Sequence, residues 1–394
     1  MKSEKCFMAM RNLVMITIMC MYAIIHMTSA VCAAVPEHES PTVILMEETT
    51  GKVIYECNAD EKRSPASITK IMTMILVFEA IENGKITMKD EVVVSANAKS
   101  MGGSQVYLEE GEIQTVETLL KCVAVASGND ASVALAEYVA GTEEEFVVLM
   151  NEKAAELGMT NTHFMDCCGL TDSSEHYTTP RDIATMSRYL IGHFPEVYNF
   201  TTIWMEDIVH STNKGDSVFT LASTNKLLKQ YPYTTGLKTG FTSKAMYCIS
   251  ATAKKDDISL IAVVMAAPDS AQRNQDVIKL FNYGFSVSRL YKDTRDLGCN
   301  YLPVKGSVEE TIPVACKEQF SYLDITGMDF SNIERKVLVQ EEIVAPVEAG
   351  QIVGKVVYSC GGNELGSVPV VSLASVEKAS VWDYFGLLFG KYLL

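Results

Sequence analysis

Ser64-Pro65-Ala66-Ser67-Ile68-Thr69-Lys70-Ile71-Met72-Thr73 is the stretch on which the reading of this chain turns. A serine hydroxyl is a poor nucleophile at neutral pH and needs a base within hydrogen-bond reach. Residues three apart on a helix lie one above the other on the same face. Ser67-Ile68-Thr69-Lys70 therefore sets a lysine amine beside a serine hydroxyl without help from the rest of the fold. A neutral Lys70 can take the Ser67 proton. Pro65 suits a first helical turn, where its missing N–H costs nothing. Ile68, Ile71, Met72, Ile75 and Leu76 continue at helical spacing, which predicts a buried helix. Ser67 then sits at its N-terminus, where free N–H groups and the dipole favour a developing oxyanion.

The spacing alone does not single out this serine. Ser223-Thr224-Asn225-Lys226 and Ser375-Val376-Glu377-Lys378 match it too, and about one match per chain of this size is expected by chance. A Ser in a first turn with a solvated Lys is the plain structural alternative. Context beyond the tetrapeptide has to decide.

At 394 residues the chain is long enough for two domains and a sizeable core. Its formal net charge of −16 argues against a nucleic-acid partner, which calls for basic patches. Lys2, Lys5 and Arg11, the apolar run Leu13 to Ile25 and the small residues Ala30, Cys32, Ala33 and Ala34 read as a secretory leader over 1–34. Cleavage is expected after Ala33 or Ala34, and an uncleaved anchor is the alternative. Of eleven cysteines, three go with the leader and eight remain. No zinc-type spacing appears among them, and mostly free, buried thiols are expected.

Thr42 to Met46 and Lys52 to Cys57 read as a β-hairpin. Helices are expected after Pro65, over Val116 to Ala126, Ala131 to Val139, Glu143 to Leu157, Pro180 to Tyr189 and Gln275 to Phe285. The Val116 helix is expected to end at Ser127-Gly128, where Gly is a typical stop. Met246 to Thr252 and Leu260 to Ala266 read as strands. Composition shifts after about Arg289 to short β-rich runs: Thr311 to Val314, Val337 to Val339, Val353 to Tyr358 and Val368 to Val371. The pattern is an α/β domain followed by a small all-β one.

The tail differs again. Val381, Trp382, Tyr384, Phe385, Leu387, Leu388, Phe389 and Tyr392 are apolar, while Asp383, Gly386, Gly390 and Lys391 form a narrow stripe at helical spacing. It is too short to span a bilayer. It reads as an interfacial membrane anchor with Trp382 and Tyr392 at headgroup level. Burying half a dozen such side chains is worth about 10 kcal/mol before ordering costs. A helix docked on its own β-domain is the alternative.

Two further segments complete a constellation. Ser127-Gly128-Asn129 offers a hydroxyl for proton relay and an amide for a peptide substrate. Lys238-Thr239-Gly240 occurs once, against about 0.1 expected by chance. On a strand, Lys238 and Gly240 share one face, so a ligand backbone is expected to approach where Gly240 leaves a gap. Lys238 with Thr239 can hold a carboxylate.

Ser-x-x-Lys, Ser-x-Asn and Lys-Thr-Gly in this order are the combination found in class A β-lactamases and penicillin-binding proteins. With the flanking runs Ala126-Ser127-Gly128-Asn129-Asp130-Ala131, Lys238-Thr239-Gly240-Phe241-Thr242 and Ile261-Ala262-Val263-Val264, the chain resembles the low-molecular-weight penicillin-binding proteins, the serine D-alanyl-D-alanine carboxypeptidases. The resemblance implies an α/β (α+β) penicillin-binding/β-lactamase-like catalytic domain over 35–289, an all-β domain over 290–375 and an amphipathic membrane-associating helix over 376–394. It implies an exported protein at the outer face of the cytoplasmic membrane, acting on peptidoglycan stem peptides ending in D-Ala-D-Ala. β-Lactams are the implied covalent inhibitors, and no metal or other cofactor is expected.

The implied roles map onto single residues. Ser67 attacks the penultimate carbonyl, Lys70 is the base, and Ser127 relays a proton to the leaving amine. Asn129 orients the substrate amide, and Lys238 and Thr239 bind the terminal carboxylate. Gly240 leaves room beside them, and the N–H groups of Ser67 and Phe241 form the oxyanion hole. The chain departs from the pattern at Cys167-Cys168, where relatives often carry Pro-His, at Met246 in place of a common Gly, and at Thr224, where some relatives carry an arginine. A β-lactamase, a D,D-endopeptidase and a catalytically silent wall sensor are the alternatives. No Glu-x-x-Leu-Asn loop of class A β-lactamases lies between Ser127 and Lys238.

Overall fold

A computed structural model describes residues 35–212 and 215–392; the leader expected over 1–34 lies outside the described residues. Five strands build the central sheet: β1 (Thr42–Glu47), β2 (Val53–Cys57), β3 (Thr234–Thr242), β4 (Met246–Lys255) and β5 (Ile258–Ala267). Their order is β2-β1-β5-β4-β3, with every neighbouring pair antiparallel. β1 is buried along its whole length. Side chains alternate across a strand, so β1 and β5 feed two cores at once. Ile44, Met46, Ile261, Val263 and Met265 enter the larger one. Val43, Leu45, Leu260, Ala262 and Val264 enter the other. Both faces being covered explains why these strands are apolar without a break.

Helices α1 (Lys70–Glu82), α2 (Val116–Lys121), α3 (Asn129–Ala140), α4 (Glu143–Glu156) and α5 (Pro180–His193) pack in and around the larger core. α6 (Ser270–Val287) covers the opposite face through Val277, Leu280 and Phe281. α1 is apolar nearly all round and buries ten of its thirteen residues, as a central helix should. At α5, the Thr179 hydroxyl accepts the Asp182 N–H, and Pro180 occupies the first turn. Among the elements that escaped the sequence pattern are the hairpin Met205–Thr212/Gly215–Ala222 and the short pair Glu91–Val93/Ile113–Thr115.

The helix expected to run to Ala126 widens after Lys121 into a single π turn over Cys122–Ala126. Its stop is Ser127, at φ 63° and ψ 32°, and not Gly128, whose φ is −58°. The Gly128 N–H reaches back to the Cys122 carbonyl at 3.0 Å. A left-handed non-glycine residue costs about 1 kcal/mol or more and persists only where its surroundings impose it.

After α6, Arg289–Lys292 pairs with Ser321–Asp324. The following sheet holds β6 (Tyr301–Lys305), β7 (Thr311–Cys316), β8 (Ile333–Val339), β9 (Ile343–Val344), β10 (Ile352–Cys360) and β11 (Asn363–Ser372), in the order β8-β10-β11-β7-β6-β9. It has its own core, in which Phe320 stacks on Tyr358 with centroids 3.7 Å apart. Val376 still pairs with Val347, and the terminal helix α7 spans Val381–Tyr392. Ser380 and Asp383 cap it reciprocally: the Ser380 N–H donates to the Asp383 carboxylate at 2.7 Å, and the Asp383 N–H to Ser380 Oγ at 3.3 Å. No helix among the described residues is long and apolar enough to cross a membrane.

Candidate active site

Ser67 lies in one 3₁₀ turn, Ala66–Thr69, that runs directly into α1. Ala66, just before it, is left-handed at φ 47°. Three groups hold this turn. Thr69 Oγ1 donates to the Ala66 carbonyl at 2.8 Å. His176 faces the same hydroxyl with Nε2 at 3.1 Å and accepts the Met165 N–H on Nδ1, which leaves Nε2 as the protonated nitrogen. Gly169, at φ +83°, lies so close that a Cβ would overlap the Ala66 carbonyl.

Lys70 is fully buried and its amine touches three oxygens: Ser67 Oγ at 3.0 Å, Asn129 Oδ1 at 2.6 Å and the Cys168 carbonyl at 2.7 Å. Two of these are carbonyls and can only accept. A neutral amine has two N–H groups and one lone pair. It can give one N–H to each carbonyl and turn its lone pair to the Ser67 O–H. Burial lowers the Lys70 pKa from its ordinary 10.5, against the opposing pull of Cys168, Cys167 and Asp166. The site therefore favours the form a base requires.

The sheet brings the second amine. Lys238 on β3 is buried and donates to Ser127 Oγ at 2.8 Å and to the Thr239 carbonyl at 3.0 Å. The left-handed turn at Ser127 is what presents its hydroxyl there. Burial, and then the charges of Lys70 and Arg273, push the Lys238 pKa well down. Two such amines cannot both stay charged at low cost.

Ser67, Ser127, Thr239, Gly240 and Phe241 line one cleft of about 320 Å³. Asn129 is placed differently. Its Oδ1 accepts from Lys70 and its Nδ2 donates to the Gly102 carbonyl at 2.7 Å, so it holds the Lys70 amine. Gly240 also differs from expectation. The space beside it is filled by the Ser67 turn, since a Cβ there would meet the Pro65 carbonyl at 3.1 Å and Ala66 Cβ at 3.2 Å. Phe241 is half-exposed and packs on Tyr247, 4.4 Å between centroids.

Arg273, on the first turn of α6, lines the cleft and was not singled out in the sequence. It is buried with no carboxylate partner among the described residues, and burial lowers its pKa to about 10. Its guanidinium donates to Asn274 Oδ1 and to the Cys248 carbonyl through three of its five N–H groups. Two remain for a ligand. Lys226 and Thr224 line the cleft as well, and Thr224 Oγ1 accepts from Thr239 Oγ1 at 2.7 Å. The rival Ser-x-x-Lys segment at Ser223 is thus a wall of the cleft. No metal-ligating cluster is found among the described residues.

Residues 29–269 match the D-alanyl-D-alanine carboxypeptidase family profile, and residues 285–378 match that of the penicillin-binding protein 5 C-terminal domain. The chain is 41% identical over 358 residues to D-alanyl-D-alanine carboxypeptidase DacF of Bacillus subtilis, covering 90% of both chains. It is 32% identical over 376 residues to DacC of Escherichia coli, again covering 90% of each. Among solved structures, penicillin-binding protein 5 of Haemophilus influenzae superposes with a TM-score of 0.73 at 29% identity, covering 88% of this chain and 99% of that one.

Proposed function

The chain belongs to the D-alanyl-D-alanine carboxypeptidase family, and from that premise we propose that it removes the terminal D-alanine from peptidoglycan stem peptides through an acyl-enzyme on Ser67. The observation that carries this reading is the buried Lys70 amine, held by two carbonyls with its third contact on Ser67 Oγ at 3.0 Å. Lys70 takes the Ser67 proton as Oγ bonds to the penultimate carbonyl carbon. The oxyanion forms at the N–H groups of Ser67 and Phe241. The proton held by Lys70 passes by way of the Ser127 hydroxyl to the departing nitrogen, the C–N bond breaks, and D-alanine leaves with Lys70 neutral again. Water then attacks the ester, giving its proton to Lys70, which returns it to Ser67 Oγ as the ester bond breaks. Incubating the enzyme with a pentapeptide ending in D-Ala-D-Ala should release free D-alanine, and penicillin should form a covalent adduct on Ser67. Absence of both overturns the reading.

Thr239, Lys238 and Arg273 form the carboxylate clamp in this scheme. Replacing Arg273→Gln should raise KM about 10- to 100-fold, as expected for a lost charge-assisted hydrogen bond of about 1.5–3 kcal/mol. The kcat should change far less. Equal losses in kcat and kcat/KM would place Arg273 outside substrate binding.

The reading extends to the rest of the chain: an exported protein with a leader over 1–34, a catalytic domain over 35–289, a β-domain over 290–375 and a membrane-associating segment over 376–394. In support, the described side chains of α7 from Val381 to Phe389 are all exposed, Trp382 by 82%. Deleting residues from Val381 onward should release the protein from phospholipid vesicles in a flotation assay and leave pentapeptide turnover intact. Flotation of the truncated chain would place the anchor elsewhere.

A further inference from the structure

We propose that Cys167 and Cys168 are a redox modification site: a two-electron thiol oxidant closes them into a vicinal disulfide that releases Lys70 and silences the enzyme. The proposal concerns regulation of the site described above and rests on that reading for its effect on turnover, though not for the chemistry itself.

The two residues sit behind the nucleophile. Both are free thiols, adjacent in the chain and fully buried. Their backbone is stitched to the active-site helix at two points: the Cys168 carbonyl accepts from Lys70 Nζ at 2.7 Å, and the Cys167 carbonyl from Thr73 Oγ1 at 2.5 Å. Asp166 Oδ1 accepts the N–H groups of both Cys168 and Gly169, and Oδ2 that of Thr171 at 2.6 Å. Cys167 N–H donates to Glu143 Oε1 at 3.1 Å, and Glu143 and Asp166 line an adjoining cavity of about 420 Å³. The two thiols themselves do not line it.

Adjacent residues across a trans peptide have Cα atoms about 3.8 Å apart, below the ~4.4–6.8 Å usual for a disulfide. Closing the ring must therefore turn the 167–168 peptide. That peptide carries both the carbonyl held by Thr73 and the N–H held by Asp166, and the Cys168 carbonyl follows it. Lys70 then loses one of the two acceptors that orient its lone pair. The rest of the arrangement stays reduced until an oxidant enters. Burial pushes the Cys167 pKa well up, so little thiolate is present and the reaction is slow.

With an azodicarboxamide such as diamide, one Sγ adds to a nitrogen of the N=N bond. The second Sγ displaces it, forming S–S, and the two thiol protons end on the hydrazine product. The protein loses two hydrogens and the oxidant gains them.

The test treats the whole enzyme with diamide, then alkylates and digests it. Trypsin cuts after Lys153 and Arg181, so one peptide carries Cys167 and Cys168 and no other cysteine. That peptide should resist alkylation and be lighter by two hydrogens. Its fraction should track a fall of at least about tenfold in D-alanine release, and dithiothreitol should restore both. Cys167→Ala, measured against its own untreated rate, should be insensitive, and Cys168→Ala serves if that variant does not fold. The proposal is overturned if the pair stays reduced while Cys299, Cys316 and Cys360 oxidise. Disulfide without loss of turnover, or equal loss in the variants, overturns it as well. Untreated enzyme that releases no D-alanine would instead count against the proposed activity, because the mass change is read independently of turnover.

Discussion

Ser67→Ala should lower D-alanine release at least about 10⁴-fold and abolish the covalent penicillin adduct, with little change in Tm. The hydroxyl lines the cleft and has a buried amine in hydrogen-bond contact. Its side chain contacts Lys70 Nζ, and its removal leaves a compact core undisturbed. The cleft, the oxyanion donors and the carboxylate clamp all survive the change. Pentapeptide should therefore still bind, and isothermal titration should report an affinity within a few-fold of the parent. A variant that turned over at the parental rate would relocate the nucleophile.

Lys70→Arg should be nearly as damaging, about 10³- to 10⁴-fold in acylation rate. A guanidinium keeps its proton at any working pH and presents a flat fork where the site is shaped for a tetrahedral amine. Two carbonyls fix the amine here, and neither can donate a hydrogen to its lone pair. The parent enzyme should show the complementary behaviour in pH. Burial lowers the Lys70 pKa from 10.5, so acylation should climb with pH through that lowered value and then level off. The stability effect has the same sign. Between the folded and unfolded values, the unfolded chain holds a proton that the folded chain has shed. Unfolding free energy therefore rises with pH across that window. Penicillin acylation followed by mass spectrometry from acid to alkaline pH reads the first effect, and urea unfolding over the same range reads the second. A flat profile for acylation would remove Lys70 as the base.

The parts of the site that were legible in the sequence are those written in local spacing. Ser67 and Lys70 meet because three residues of helical turn separate them. Lys238 and Thr239 were visible in a rare tripeptide on a strand. Ser127 was visible as a residue type, but its left-handed turn was not, because a π turn leaves no mark in residue periodicity. The second acceptor for Lys70 is a backbone carbonyl, which any residue could supply. Arg273 had a signal that was overlooked. It precedes Val277, Leu280, Phe281 and Gly284 at helical spacing, which places a charge on the buried face of α6. A buried arginine without a nearby acid is a residue waiting for one.

For the fold, β1 and β5 were readable as unbroken apolar runs, and Pro180 after Thr179 marked a helix start. The hairpin Met205–Thr212/Gly215–Ala222 was harder. One of its faces carries Val209 and Val218 into solvent, so the alternation of apolar and polar residues that marks a half-buried strand is blurred there.

Gly169 and Gly240 press on the Ser67 turn from two sides, one against the Ala66 carbonyl and the other against Pro65 and Ala66. A saturation mutagenesis screen for surviving carboxypeptidase would therefore record a sharp boundary. Positions a few ångströms further out, such as half-exposed Phe241, should accept many residues. At 169 the permitted alphabet should shrink to one letter, set by the thickness of a backbone and not by any chemistry the glycine performs, while at 240 a small residue should pass only where the Ser67 turn gives by a few tenths of an ångström.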